Sequence, residues 1–379
     1  MSLHLEEIRF RNFRSYEFFS LENLGGLTVL LGPNATGKTN AIEGIQLMTA
    51  YGSFRNPTGK ELIRWGEPSA QLTARLVSET RDLTVQSNIR PGARTHMLNG
   101  KKKAVQNLQG ILPSVVFSPD DLVLVKGPQS HRRAALDLLG CQLSPSHRII
   151  KRDFERLVKH KNALLKNDAP RMLVESVNDM LAPAATQLYL YRAALVEKLS
   201  SRMAEAYAAM AGEEERIEVS YVASWETDAV REAAQTAPMK FSYGKEEARH
   251  ALDEAMAARF AEECARKRSV VGPHHDRIEF FIDGRNASTF ASQGQQRCVV
   301  LAWKMAEADI IAEMLETSPL LLLDDVMSEL DIVRRRALVE LLGAGTQTFI
   351  TATDPTCFDA GLLDSAKVIE LGRQRLWDR

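Results

Sequence analysis

LTVLLGPNATGKT, residues 27–39, is the stretch on which the fold turns. Leu27 to Leu31 is a short apolar run that stops at Gly32, and a helical pattern opens at Lys38. That is the strand, loop, helix order a phosphate-binding loop requires. Gly32, Gly37, Lys38 and Thr39 keep the spacing G-x-x-x-x-G-K-[ST]. In such a loop the backbone amides, Asn34 among them, wrap a β-phosphate at a helix N-terminus. Lys38 reaches the β and γ oxygens, the Thr39 hydroxyl holds Mg²⁺, and Asn40 stands next to it.

Outward from the loop, Gln71 to Val77, Asp82 to Ile89 and Arg94 to Leu98 alternate or carry β-branched residues, and Asn99-Gly100 is a hairpin turn. An antiparallel sheet is therefore expected beside the nucleotide-binding one. From about Leu122 the pattern turns helical: Asp137 to Lys166, Pro183 to Ala211 and Glu246 to Arg268, with Ile217 to Val222 as an inserted strand. After Gly272-Pro273 the α/β pattern returns with Ile278 to Ile282, Leu320 to Leu323, Thr348 to Thr351 and Lys367 to Leu371. The expected organisation is an α/β lobe made of residues 1–121 and 269–379, interrupted by a mainly helical lobe, 122–268.

The chain of 379 residues is long enough for more than one core, and 45% hydrophobic with 26% charged residues is ordinary globular composition. No apolar run approaches the roughly 20 residues a bilayer needs, and the opening MSLHLEEIRFRNFRS has no apolar signal core. A cytoplasmic protein without a membrane partner is expected. Cys141, Cys264, Cys298 and Cys357 lie far apart without zinc or disulfide spacing. Net charge of −1 argues against bulk attraction to nucleic acid and leaves room for a local basic face.

A phosphate-binding loop needs an acidic second half, and LLLLDD, residues 320–325, supplies it. A buried strand delivers Asp324 to its carboxyl end as an Mg²⁺ ligand, and Asp325 then faces an attacking water. Asp325 is one methylene shorter than a glutamate, which predicts slow hydrolysis. Ser292-Gln293-Gly294-Gln295-Gln296, ahead of this strand, resembles the signature of the ATP-binding-cassette superfamily, which closes over the γ-phosphate held by a partner subunit. Ser292 caps a helix through Val299 and Met305, aiming its hydroxyl and free amides at phosphate, and Gly294 permits close backbone approach. Ser328-Glu329-Leu330-Asp331 corresponds to a D-loop. Thr353 takes the place of the γ-phosphate-sensing histidine, and its hydroxyl bonds phosphate without carrying charge.

Across nearly the whole chain the sequence resembles the RecF family, ATPases related to the heads of Rad50 and SMC proteins. The resemblance rests on Arg11-Asn12-Phe13-Arg14-Ser15, Ser53-Phe54-Arg55, Phe117 to Leu122, Arg132-Arg133, His160 to Leu165, Gly272-Pro273-His274, SQGQQR and LLLDDVMSELD. It implies an ATP-binding-cassette ATPase lobe with an antiparallel β subdomain and a mostly helical second lobe without a long coiled coil. It also implies a weak, DNA-stimulated ATPase using ATP and Mg²⁺ and dimerising on ATP, with Arg14 near the nucleotide. The implied partners are DNA, single-stranded or duplex and gapped, together with RecR and RecO, in gap repair, recombinase loading and the SOS response. Three positions depart from the family pattern: Ala35 where glycine is usual, Lys161 where arginine is common, and His275 after His274, a pair expected at the surface.

Arg148, Arg152, Arg156 and Lys159 fall at i, i+4, i+8 and i+11 of one presumed helix, with Ile150, Phe154, Leu157 and Val158 on the other face. Such a stripe neutralises phosphates without reading bases. Two other readings compete. An ATPase subunit of a transporter-like machine leaves the helical middle unexplained, and a DNA motor needs faster hydrolysis than Asp325 and Thr353 suggest.

Overall fold

The computed structural model describes residues 3–372 apart from 56, 109, 212–214, 241, 328–334, 336–337, 339–345 and 359. The chain forms β1 (His4–Phe13), β2 (Tyr16–Leu21), β3 (Leu27–Leu31), α1 (Lys38–Thr49), β4 (Ala70–Val77), β5 (Asp82–Arg90), β6 (Ala93–Leu98), β7 (Lys101–Lys103) and β8 (Ser114–Phe117). Next come α2 (Val123–Lys126), α3 (Gln129–Leu143), α4 (Pro145–Lys166), α5 (Arg171–Ala211), β9 (Ile217–Val222), α6 (Asp228–Thr236), α7 (Lys245–Ala258) and α8 (Phe260–Arg266). They are followed by β10 (Arg277–Ile282), β11 (Arg285–Asn286), α9 (Ala287–Phe290), α10 (Gln293–Leu315), β12 (Leu320–Asp324), β13 (Thr348–Ala352) and β14 (Lys367–Glu370). Two compact units result: Met1–Asp121 with Glu307–Arg379, and Leu122–Ala306.

The first unit holds two sheets. One is parallel, in the order β14-β3-β13-β12-β8, and the other antiparallel, β2-β1-β4-β5-β6-β7. β3, β8, β12 and β13 are buried at nearly every position, as continuous apolar runs in a parallel sheet must be. Helix α1 packs between the two sheets and buries ten of its twelve residues, so it has no polar face to show. Its Ile42 and Ile45 share a core with Phe10, Phe13 and Tyr16 of the antiparallel sheet and with Leu322 and Phe349 of the parallel one. Gly44 is where the helix touches Phe10: a Cβ there would stand 2.3 Å from the Phe10 ring.

The second unit is mainly helical. The 41 residues of α5 continue through Pro183 and run about 60 Å at 1.5 Å per residue, beside α3, α4 and α7. The sequence places the start of this helix at Pro183, because proline usually opens a helix; here it lies inside. The expected boundary at 268/269 moves to 306/307. The reason is strand pairing: β10 lies antiparallel to β9, from Arg277 opposite Val222 to Ile282 opposite Ile217. The strand after Gly272-Pro273 thus completes the second unit's own three-stranded sheet, β11-β10-β9. Buried ion pairs fasten the unit: Arg192 to Asp137 at 2.7 Å, Arg132 to Glu279 at 2.8 Å and Lys161 to Glu263 at 2.7 Å.

Candidate nucleotide site and signature helix

The strand order β3-β13-β12 sets three carboxyl-terminal strand ends side by side. The loop after β3 carries Gly32 to Gly37, β12 ends at Asp324, and Thr353 directly follows β13, exposed. Within the loop the Thr36 hydroxyl donates to the Pro33 carbonyl at 2.9 Å, and the Tyr16 hydroxyl donates to the Gly37 carbonyl at 3.0 Å. Gly37 is required twice over, since its φ is 100° and a Cβ would meet the Tyr16 hydroxyl at 2.7 Å. Gly32 faces the Leu371 carbonyl, 2.6 Å from where a Cβ would be. Asn34 is exposed at the loop's tip, and Ala35 holds φ at 68°.

Lys38 is buried, and its Nζ donates to the carbonyls of Gly32 at 2.6 Å and Pro33 at 3.1 Å. Burial lowers its pKa, against the opposing pull of Asp325 and Asp324. The Thr39 hydroxyl donates to Asp324 Oδ1 at 3.1 Å, and the Thr351 hydroxyl donates to the same oxygen at 2.9 Å. The Asp325 amide in turn donates to the Thr351 hydroxyl at 2.9 Å. Burial raises the Asp324 pKa. The Thr39 and Thr351 hydrogen bonds and the charge of Arg55 work against that rise, while Asp325 adds to it.

Mg²⁺ fits this donor set. A hydroxyl from the first turn of α1 and a buried carboxylate from the end of β12 lie within hydrogen-bonding distance, and a cation there offsets the cost of burying Asp324. Among the described residues no group of three or more His, Cys, Asp or Glu forms a metal cage. Asp325 is half-buried with φ at 53°, a strained conformation of the kind that concentrates at active sites. Asp331, with the rest of the D-loop, lies outside the described residues.

A constellation the motifs do not announce sits beside the loop. Glu43 of α1 is wholly buried, and Arg14 donates to it through Nε and Nη2, each at 2.8 Å. Arg14 also donates to the Glu61 carbonyl. The Ser53 hydroxyl bonds Glu43 at 2.6 Å, and Arg55 stands 3.8 Å from it while donating to Asn40 Oδ1 at 3.2 Å. Asn40 donates to Ser15. Arg14, expected near the nucleotide, is thus engaged by the phosphate-loop helix itself. The available signal for Glu43 was a lone charged residue in the run AIEGIQLM.

In the second unit Ser292 caps α10 in a reciprocal box. Its hydroxyl accepts from the Gln295 amide at 3.2 Å, and the Gln295 side chain accepts from the Ser292 amide at 2.8 Å. Gln295 Nε2 donates to Glu215, which also accepts from the Tyr207 hydroxyl. Gly294 lies in the first helical turn without left-handed backbone, so its value there is a missing side chain on an open helix mouth. On α4, Arg152, Arg156 and Lys159 are exposed, with Arg152 and Arg156 both near Asp153, at 3.1 and 4.0 Å. Arg148 departs from the expected stripe: it is half-buried and its Nε is shut from solvent. The histidine pair is not at the surface either. Both rings are half-buried; His274 lies between Phe154 and His275 with its ring tilted to each, and burial holds its pKa well below the ordinary histidine value.

The chain matches the family described as RecF/RecN/SMC N terminal domain over residues 4–372. It is 35% identical over 357 residues to the DNA replication and repair protein RecF of Symbiobacterium thermophilum, covering 93% of this chain and 92% of that one. The RecF of Lactobacillus delbrueckii subsp. bulgaricus is 34% identical over 362 residues, covering 93% and 91%. A solved structure of the recombination mediator protein RecF with ATP, described in the RecFOR pathway, aligns with a TM-score of 0.82 at 28% identity, covering 93% of this chain and 94% of that one. The Smc head domain from Pyrococcus furiosus aligns with a TM-score of 0.55 at 14% identity and shares the fold alone.

Proposed function

The chain belongs to the RecF family, and from that premise we propose that it is an ATP-binding DNA replication and repair protein working as a switchable clamp on DNA. The observation that carries the reading is the meeting of Lys38 and Thr39, at the start of α1, with Asp324 and Asp325, at the end of β12, where Thr39 is already bonded to Asp324. When ATP enters, Lys38 exchanges two loop carbonyls for phosphate oxygens, and the loop amides from Asn34 to Gly37 donate to the β-phosphate. Thr39 and Asp324 hold Mg²⁺, whose bound charge neutralises the phosphates. Asp325, one methylene shorter than a glutamate, orients the attacking water, and Thr353 bonds the γ-phosphate without a charge, which together make hydrolysis slow.

Each site is completed by the partner copy's signature helix. Ser292, Gly294 and Gln295 close on the γ-phosphate, with Asp331 from the D-loop, so ATP joins two copies and its hydrolysis releases them. DNA is held through the exposed cations of α4, Arg152, Arg156 and Lys159, with Arg148 contributing only in part, and RecR and RecO are the protein partners. The transporter reading is not favoured, since the relatives are DNA replication and repair proteins. No helix among the described residues is long and apolar enough to cross a membrane.

The test is molar mass in solution by light scattering without nucleotide, with ADP, and with ATP plus Mg²⁺, for the native chain and for Ser292→Arg. A dimer only with ATP, abolished by Ser292→Arg, is the expected result. An unchanged mass, or normal dimerisation of Ser292→Arg, reduces the signature run to a helix cap and removes the clamp.

A further inference from the structure

Around the wholly buried carboxylate of Glu43 stand Arg14, Arg55 and Arg94. Arg14 is bound through two hydrogen bonds, Arg55 lies at 3.8 Å, and Arg94 feels the Glu43 charge while burial works against its protonated form. They come from separate segments: the β1–β2 turn, the stretch after α1, and β6. Among the described residues Glu43 is the carboxylate paired with Arg14 and Arg55. The cluster borders the catalytic constellation at two points. Asn40, two residues after Lys38, takes one Arg55 hydrogen bond, and the Arg55 charge reaches Asp324. Arg14 itself holds φ at 53°, a left-handed conformation that a bulky residue keeps only when its surroundings impose it.

We infer that Glu43 is a positioning residue of the nucleotide site: its carboxylate, carried on the phosphate-loop helix, sets where the Arg14 and Arg55 guanidinium groups stand relative to Lys38 and Asp324. This rests on the nucleotide reading given above. Because Glu43 rides on the same helix as Lys38 and Thr39, the carboxylate holds both arginines in the same frame as the phosphate-binding side chains. Without the carboxylate, nothing offsets the repulsion between half-buried Arg14 and exposed Arg55, and the two separate. Their net charge near the site remains, so ground-state attraction for a polyphosphate persists while the alignment needed for hydrolysis is lost. A split between binding and turnover is the signature of that role.

The experiment compares native protein, Glu43→Gln, Arg14→Lys and the double variant as full chains, by ATP titration and by turnover, with bound stoichiometry counting the intact sites. Glu43→Gln is expected to bind ATP within about threefold of native affinity while turnover per bound site falls about tenfold or more. The double variant is expected to fall no further than the worse single one, because both changes remove the same contact. Turnover per site at the native level, or losses that multiply in the double variant, overturns the inference. Should Glu43→Gln fail to fold by circular dichroism, Glu43→Asp, which keeps the charge but withdraws it, takes its place: full stoichiometry with reduced turnover supports the role, and native turnover defeats it. Native protein that binds no ATP at all is a different failure, of the nucleotide site itself.

Discussion

At φ 68° the Ala35 backbone lies in the left-handed region, where a side chain costs roughly 1–2 kcal/mol that glycine avoids. Such strain would weaken nucleotide binding if it were met only in the bound loop. The structure moves the cost elsewhere: the loop already holds the conformation with its lysine folded onto the loop carbonyls, so the strain falls on folding. Ala35→Gly should raise unfolding stability by at most about 1 kcal/mol, since glycine also frees the unfolded chain. ATP affinity should change by less than about twofold. Denaturant unfolding and nucleotide titration on the same samples check both; a large gain in affinity would mean the loop rearranges on binding. Lys38, Thr39, Asp324 and Asp325 were legible as candidates because phosphate-loop and acidic-strand motifs keep fixed spacing, and Thr39 does meet Asp324. Glu43 and Thr351 were not, because each acts through a partner distant in sequence, Glu43 on Arg14 and Thr351 on Asp324.

On α4 the period of the sequence gave a helix with Phe154 inside, Ile150, Leu157 and Val158 half-buried beside it, and Arg152, Arg156 and Lys159 outside, but it could not show that Arg148 turns inward near the start of that helix. The DNA prediction therefore belongs to three residues. Changing Arg152, Arg156 and Lys159 together to glutamate should weaken binding of a DNA oligonucleotide about equally for unrelated sequences and flatten its salt dependence, as loss of phosphate contacts does. Fluorescence anisotropy across a salt series measures this. An unchanged slope would leave α4 a solvated face, and Asp153, which neutralises part of the stripe, makes that outcome a real alternative. Other elements escaped the sequence for local reasons. β1 breaks its alternation at a bulge between Leu5 and Glu7, and β8 is four residues buried on every side, too short to carry a period. β10 read clearly as a strand, yet a strand's own residues do not say which sheet it joins.

For the whole molecule, acid stability should be governed in part by Asp137. Burial alone would raise its pKa, but Arg192 and the His147 hydrogen bond outweigh that and hold the carboxyl well below its usual range. A carboxyl depressed on folding stabilises above its unfolded pKa of about 4, and that contribution drains away as pH falls below it. Asp137→Asn should cost about 3–5 kcal/mol at neutral pH by stranding buried Arg192, and the gap from native should narrow as denaturation is repeated below about pH 4. A constant gap down to pH 3 would mean that shape, not charge, is what Asp137 supplies. The interleaving of the units has a consequence for biosynthesis. β3 lies between β13 and β14, and β8 pairs with β12; all three partners lie after residue 306. A nascent chain leaving the ribosome carries its phosphate-loop strand, LTVLL, without either neighbour until the last segment emerges, while residues 122–306 are free to fold as one continuous piece. The ATP-binding half of the protein is begun first and finished last, and a ribosome that stalls before Leu320 leaves an unpaired apolar strand for chaperones to shield.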